Sequence, residues 1–393
     1  MKILVAAPQP FLEERGTPLD THRLVNTLAS FGHSVDLLTY PHGRDVPDSK
    51  ARVIRSAGLP GIDSVPVGPS WQKVVLDIPF TLKFAQLARP GVYDVVHAVE
   101  EAIFPALALA RWHRARVVYD MDSSLAEQLT DSGSVLRLLG RPIRGLERWA
   151  LRRADLILPV CDDLVDVAEG VIGSADRIRV LRDVPLEPDP SGEPVDDLRA
   201  LWPAGMTIAL YVGNLISYQG IDLLVGAAER MSAGCHVGIV VIGGSESNVA
   251  AYRERTAKLG LGDRLTFLGP RPVGDLSAYL EQADILVSPR SKGGNTPLKV
   301  YSYMAAGKAI LATRISSHTQ VLDETTAYLF DANPQDLADG LTRLAGDSDT
   351  RQRLGKAARE RVEKEYTAEI FDAALLEAYE RFTDEEPPTT VDH

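Results

Sequence analysis

Short apolar runs alternate with longer segments of mixed polarity along most of this chain. The runs fall at 2–6 (KILVA), 94–97 (DVVH), 116–119 (RVVY) and 155–160 (DLILPV), with another after His33. A second series follows at 207–212 (TIALYV), 237–242, 264–267, 284–288 (DILVS) and 309–312 (AILA). Continuous runs of this kind, without strict alternation, are the pattern of strands buried on both faces of a parallel sheet. Segments with helical spacing lie between them: 18–31, 137–153, 336–345, 350–366 and 368–382. Strand and helix in alternation predict an α/β protein built on open parallel sheets. Residues 41–70 are rich in Pro, Gly and Asp and read as an irregular connection.

The length and one acidic stretch divide the pattern in two. A chain of 393 residues is long for a single core. The segment DVPLEPDPSGEPVDDLRAL (183–201) holds four prolines and reads as an interdomain linker. The expected layout is a first domain over 1–185, a linker over 186–203 and a second domain over 204–366. A helix over 367–383 and an acidic, Pro-rich, disordered tail over 384–393 complete it. The net charge of −12 argues against a general nucleic-acid binder. Cys161 and Cys235 lie in different expected domains and read as reduced, buried thiols. No apolar run reaches the ~18 residues of a membrane span. The opening MKILVAAPQPF enters a strand directly, unlike a signal peptide. A soluble, cytoplasmic protein is expected.

The most informative stretch is ADILVSPRSKGGNTPLKVYSYMAAGKAILAT (283–313). It reads as strand, Gly-rich loop, helix, strand. Asn295 or Thr296 is expected to cap the helix, Pro297 to take its first position and Gly307 to end it. The free N–H groups of a helix start attract an anion, most often a phosphate. Arg290 and Lys299 add two cations there. A plain βαβ turn with surface cations is the alternative.

The same stretch resembles the donor-binding segment of glycosyltransferase family 4, retaining enzymes of the two-domain GT-B fold. The resemblance extends through YVGNLISYQGIDLLVGAAERM (211–231) and GLGDRLTFLGPRPVGDLSAYLEQADILVSPR (260–290). It implies two Rossmann-like doubly wound domains facing a cleft, with a C-terminal helix crossing back. It also implies a nucleotide-diphosphate sugar as donor, UDP or GDP sugars first, with no cofactor and no metal. Donor-binding positions carried over are Gly16, Gly213, Asn214, Gln219, Gly294, Asn295, Thr296, Pro297, Leu298 and Ser302. The chain departs from the family at four of them. Two glutamates that hold donor hydroxyls are replaced by Gly294 and Ser302, and a basic pair that grips the pyrophosphate by Asn214 and Gln219. A diphosphate still needs cations, so the expectation is that Arg290 and Lys299 supply them. His318 and Thr319 are expected in a loop at the cleft mouth.

On the other side, His97, Glu100, Asp120 and Asp122 fall at strand carboxyl ends, where ligands of open sheets bind. His97, Glu100 and Asp120 are the acceptor-binding candidates. Asp122, with Arg290 and Lys299, is a catalytic candidate, because it would orient or deprotonate the acceptor hydroxyl. A carboxylate that merely caps the next element is the alternative. Asp120-Met121-Asp122 spells a metal motif, but in the acceptor half, and is read as coincidence. Arg144, Arg148 and Arg152 share one face of a helix. A core-packed helix with a solvated arginine face is the first reading; peripheral contact with the inner face of an anionic membrane is the other, if the acceptor is lipid-linked. The implied function is retaining transfer of a sugar to a hydroxyl of a saccharide or lipid-linked acceptor, in polysaccharide biosynthesis. The alternatives are a non-catalytic nucleotide-sugar-binding partner protein and a sugar-nucleotide epimerase.

Overall fold

The computed structural model describes residues 1–11, 16–44, 49–66, 70–124, 140–187, 194–232 and 234–384. The chain divides into two compact units, Met1–Arg182 with Glu369–His393, and Asp183–Ala368. Most of the expected tail lies outside the described residues.

The first unit carries strands β1 (Lys2–Ala6), β2 (Ser34–Thr39), β3 (Arg52–Arg55), β4 (Val95–Val99), β5 (Arg116–Met121) and β6 (Leu156–Pro159). They form one sheet in the order β3-β2-β1-β4-β5-β6, with every pairing parallel. β3 lies inside the region read as irregular. Its sequence RVIR, charged at both ends and only partly buried, suits an edge strand and hides it from a search for apolar runs. Helices α1 (Gly16–Ser30), α2 (Trp71–Leu87), α3 (Ile103–Ala108), α4 (Ala110–His113), α5 (Gly140–Arg153) and α6 (Asp162–Ile172) connect these strands. Ser70 caps α2 by accepting from the Lys73 N–H.

The second unit repeats the design. Strands β7 (Thr207–Val212), β8 (Val237–Ile242), β9 (Leu265–Gly269), β10 (Ile285–Ser288), β11 (Ala309–Thr313) and β12 (Tyr328–Phe330) lie in the order β12-β11-β10-β7-β8-β9. They too are parallel throughout. Its helices are α7 (Ile221–Arg230), α8 (Glu246–Lys258), α9 (Leu276–Gln282), α10 (Leu298–Ala306), α11 (Ser316–Thr319), α12 (Pro334–Gly346) and α13 (Ser348–Glu365). The last helix, α14 (Ala368–Asp384), belongs to the first unit.

In each sheet the strand order reverses at one place, between β1 and β4 and between β7 and β10. Ligands of doubly wound sheets bind outside the strand carboxyl ends at such a switch point. Of the residues singled out from sequence, Gly213 follows β7, Arg290 follows β10 and Glu100 follows β4, while Asp122 follows β5, one strand from the switch point. Cys161 is buried, whereas Cys235 is only half-buried, with its thiol 3.5 Å from the Thr342 hydroxyl.

Candidate active site

The switch point of the second sheet gathers most of the predicted donor positions. Two loops meet there, one after β7 and one after β10. They approach closely because Gly220 has φ +78° and a Cβ on it would stand 1.9 Å from the Pro289 carbonyl oxygen. The Ser291 N–H donates to the Tyr218 carbonyl at 2.8 Å. The contact brings Lys299, in the first turn of α10, to the other loop. Its ammonium donates to Gln219 Oε1 at 3.0 Å and stands 4.0 Å from the centre of the Tyr211 ring. Gly213 is beside it, where a Cβ would lie 3.2 Å from Nζ. The Tyr211 hydroxyl is 2.6 Å from the Asn214 carbonyl and 3.4 Å from Gln219 Oε1. Lys299 keeps part of its surface accessible, yet its ammonium sits deep. Desolvation first, and the Arg290 charge second, hold its pKa well below the ordinary lysine value. None of the ion pairs among the described residues includes Lys299.

Arg290 has a different task. It is buried, and its guanidinium donates to the Lys292 carbonyl (2.6 Å), the Asn295 carbonyl (2.9 Å) and Asn295 Oδ1 (3.0 Å). It shapes the loop from within and lends its charge to the site. Gly293 makes room for it: with φ +116°, a Cβ there would meet Nη2 at 2.0 Å. Gly294 is fixed by Gln320, whose amide donates to its carbonyl at 2.8 Å.

Three local expectations are corrected here. Neither Asn295 nor Thr296 caps α10, and Pro297 is not its first helical residue. The helix begins at Leu298 with extended Pro297 at the cap position and no side-chain cap bond. The Asn295 side chain is taken by Arg290, and the Thr296 hydroxyl, buried, makes no hydrogen bond among the described residues. His318 is not in a loop at an opening. It is fully buried in α11, bonded to Ser288 Oγ (2.8 Å), Thr313 Oγ1 (3.0 Å) and the Thr313 carbonyl (2.9 Å). Burial is the main cause that pushes its pKa down to about 3, so it stays neutral. Thr313 in turn donates to the Arg290 carbonyl at 2.5 Å, so this network supports the loop from below. Thr319 is exposed. Ser302 accepts from the Leu186 N–H at 3.2 Å, which ties α10 to the segment read as a linker.

In the first unit, β4 and β5 bring His97 and Asp120 together. His97 is completely buried. Its Nε2 is 3.0 Å from Asp120 Oδ2 and its Nδ1 is 2.7 Å from the Tyr379 hydroxyl. A carboxylate only accepts, so Nε2 carries the proton and Tyr379 donates to Nδ1. With no exposed surface, His97 does not contact an acceptor; it fixes Asp120. Glu100 has φ +48°, a costly backbone for a non-glycine residue, and accepts from the Ser123 hydroxyl at 2.9 Å. Next to it, burial and the Glu100 charge push the Glu101 carboxyl up to about 7, against the pull of Lys73 at 3.8 Å. Sequence reading missed Glu101. The doubled acid EE after a strand was its only signal. Gly16 opens α1.

Comparison with known proteins agrees with the two units. Residues 15–183 match the family described as glycosyl transferase 4-like domain, and residues 199–361 match glycosyl transferases group 1. The chain belongs to the glycosyltransferase family 4-like enzymes of the GT-B fold. Among relatives, it is 25% identical to the sulfoquinovosyl transferase of Arabidopsis thaliana, over 92% of this chain and 70% of that one. It is 27% identical to the D-inositol 3-phosphate glycosyltransferase of Kribbella flavida, over 92% of this chain and 89% of that one. Among solved structures, Anabaena HepE in complex with UDP-glucose shares the fold with TM-score 0.73 at 16% identity, covering 97% of this chain and 100% of that one. The chain is a glycosyltransferase.

Proposed function

We propose that the protein transfers a sugar from a nucleotide-diphosphate sugar, UDP-linked in the first instance, to a hydroxyl of a saccharide or lipid-linked acceptor, with retention at the anomeric carbon. The observation that carries this reading is Lys299. A deep ammonium with no carboxylate partner among the described ion pairs, at the switch point of a doubly wound sheet, is suited to a ligand's negative charge. The α10 N-terminus and the Thr296 hydroxyl face the same need. In the family to which the chain belongs, a basic pair stands where this chain has Asn214 and Gln219. Lys299 returns an ammonium to that loop from the other side, held by Gln219 itself. The HepE complex supports UDP as the first donor to try.

The chemistry follows from the charges. As the bond from the anomeric carbon to the diphosphate breaks, negative charge grows on the leaving oxygen. Lys299, backed by the Arg290 charge, stabilises it. The leaving phosphate takes the proton of an acceptor hydroxyl attacking from the same face, so no protein nucleophile is required. Asp122 and Asp120 are the groups assigned to orient that hydroxyl. Transfer and donor hydrolysis assays with UDP- and GDP-sugars, with the product anomer read by NMR, test the reading. Lys299→Ala is expected to weaken UDP binding about 10- to 100-fold, an effect of ~1.4–2.7 kcal/mol. Unchanged affinity would remove Lys299 from the site, and an inverted anomer would refute retention.

A further inference from the structure

The outer face of the first unit carries apolar surface that is exposed among the described residues. In α2, Leu76, Phe80 and Phe84 are buried against the sheet. On the opposite side of the same helix, Trp71, Val74, Ile78 and Leu82 are 65, 67, 62 and 62% exposed. Their spacing of three, four and four residues makes a stripe ~16 Å long. A helix apolar on both sides is expected to be covered on both. The neighbouring α3, IFPALA, has no polar side chain, and Phe104 and Leu109 at its edge are partly open. The turn leading into α3 carries Glu101, 3.8 Å from Lys73 of α2. On its other side α3 contacts α5, where Leu146 is 50% exposed and Arg144, Arg148 and Arg152 are exposed as well. α2, α3 and α5 all pack into the core cluster on one face of the sheet, so their outer sides look the same way.

We infer that this face, with the α2 stripe as the inserting element, docks on an anionic lipid bilayer. An apolar stripe and a row of arginines on one face, with apolar α3 between them, is the arrangement that such a surface requires. The arginines stand out on a chain of net charge −12. Asp162, Asp166 and Glu169 of α6 border the face beyond α5 and limit the basic zone. Among the described residues no helix is long and apolar enough to cross a membrane, and the stripe calls for shallow insertion along the helix side. The sequence pointed to the arginine helix alone; the structure adds α2 as the apolar partner. The inference is independent of the donor.

The test is co-sedimentation of the full chain with vesicles of phosphatidylcholine alone or with one third phosphatidylglycerol. Wild type is expected to pellet with the anionic vesicles and to be released by salt. Ile78→Glu is on the exposed side and should keep the wild-type melting temperature while losing at least about tenfold in vesicle affinity. Arg148→Glu should lose the preference for anionic lipid. Wild type that stays in solution with anionic vesicles, or Ile78→Glu that binds undiminished, overturns the inference. So does a wild-type dimer, dissociated by Ile78→Glu, that ignores vesicles, for then the stripe belongs to a second copy.

Discussion

At the scale of single residues, the donor-side unit holds two deep groups whose charged forms are disfavoured by desolvation. His318 is held neutral, with its pKa pushed down to about 3, between Ser288 and Thr313 beneath the Arg290 loop. In an unfolded chain a histidine titrates near ~6.5, so between that value and 3 the unfolded state binds the extra proton. His318 therefore costs the fold stability as pH falls below about 6.5, at ~1.4 kcal/mol per unit, and nothing above it. His318→Gln is expected to lose ~1–2 kcal/mol at pH 8 through broken hydrogen bonds, yet to close that deficit as pH falls from 6.5 and to match or overtake wild type by pH 4.5. Urea midpoints of both proteins across that range measure it, and a constant gap would show that His318 is not the titrating group. Lys299 has the same sign, since its depressed pKa makes the folded state bind fewer protons than the unfolded one. A bound diphosphate would favour the charged form of Lys299 and raise its pKa.

At the scale of elements, the site exists because two loops touch, and that contact is decided by glycines. Gly220 has φ +78°, and a Cβ there would collide with the Pro289 carbonyl at 1.9 Å. Gly220→Ala is expected to cost ~1–3 kcal/mol of stability. By moving Gln219 away from Lys299 it should also weaken nucleotide binding at least about tenfold, a ~1.4 kcal/mol effect. Thermal melts with and without UDP read both, and a variant that is destabilised yet binds UDP normally would separate the loop contact from the site. These features differ in how openly the sequence shows them. DILVS and AILA read as buried strands because both faces are covered, and the run is apolar throughout. β3 was hidden because an edge strand tolerates charge, and β12 because three residues make no pattern. The start of α10 shifted because Arg290 claims Asn295, a tertiary contact that local cap preferences do not include. The pairing of Lys299 with Gln219 spans 80 positions and has no local signature. The α2 stripe was legible in principle, as apolar residues at 71, 74, 78 and 82 alongside a second set at 76, 80 and 84.

At the scale of the whole chain, the last helix completes a unit that began with the first residue. α14 follows the second unit in sequence, but its side chains build the first. Phe371, Leu375, Ala378 and Tyr379 are buried. Asp372 accepts from Thr27 of α1 at 2.8 Å, and the Arg381 guanidinium donates to the Asp176 carbonyl at 3.2 Å. Tyr379 closes the bond to His97, which holds Asp120. The fold of residues 1–182 therefore depends on a segment that follows the whole second unit in sequence, and its contacts of large sequence separation are costly to close. A chain ending at Thr367 is expected to lose hydrogen-exchange protection across β1, β4 and α1, while β7, β8 and β10 keep theirs. Tyr379→Phe is the milder form. It keeps the ring, removes the donor to a fully buried Nδ1, and should cost ~1–3 kcal/mol in the first unit alone. Exchange mass spectrometry resolves the two units in one experiment. Equal loss in both, or loss in the second only, would mean that α14 is not part of the first unit's core. The expected one-sided loss would show that the first unit holds Asp120 in place only when α14 is docked on it.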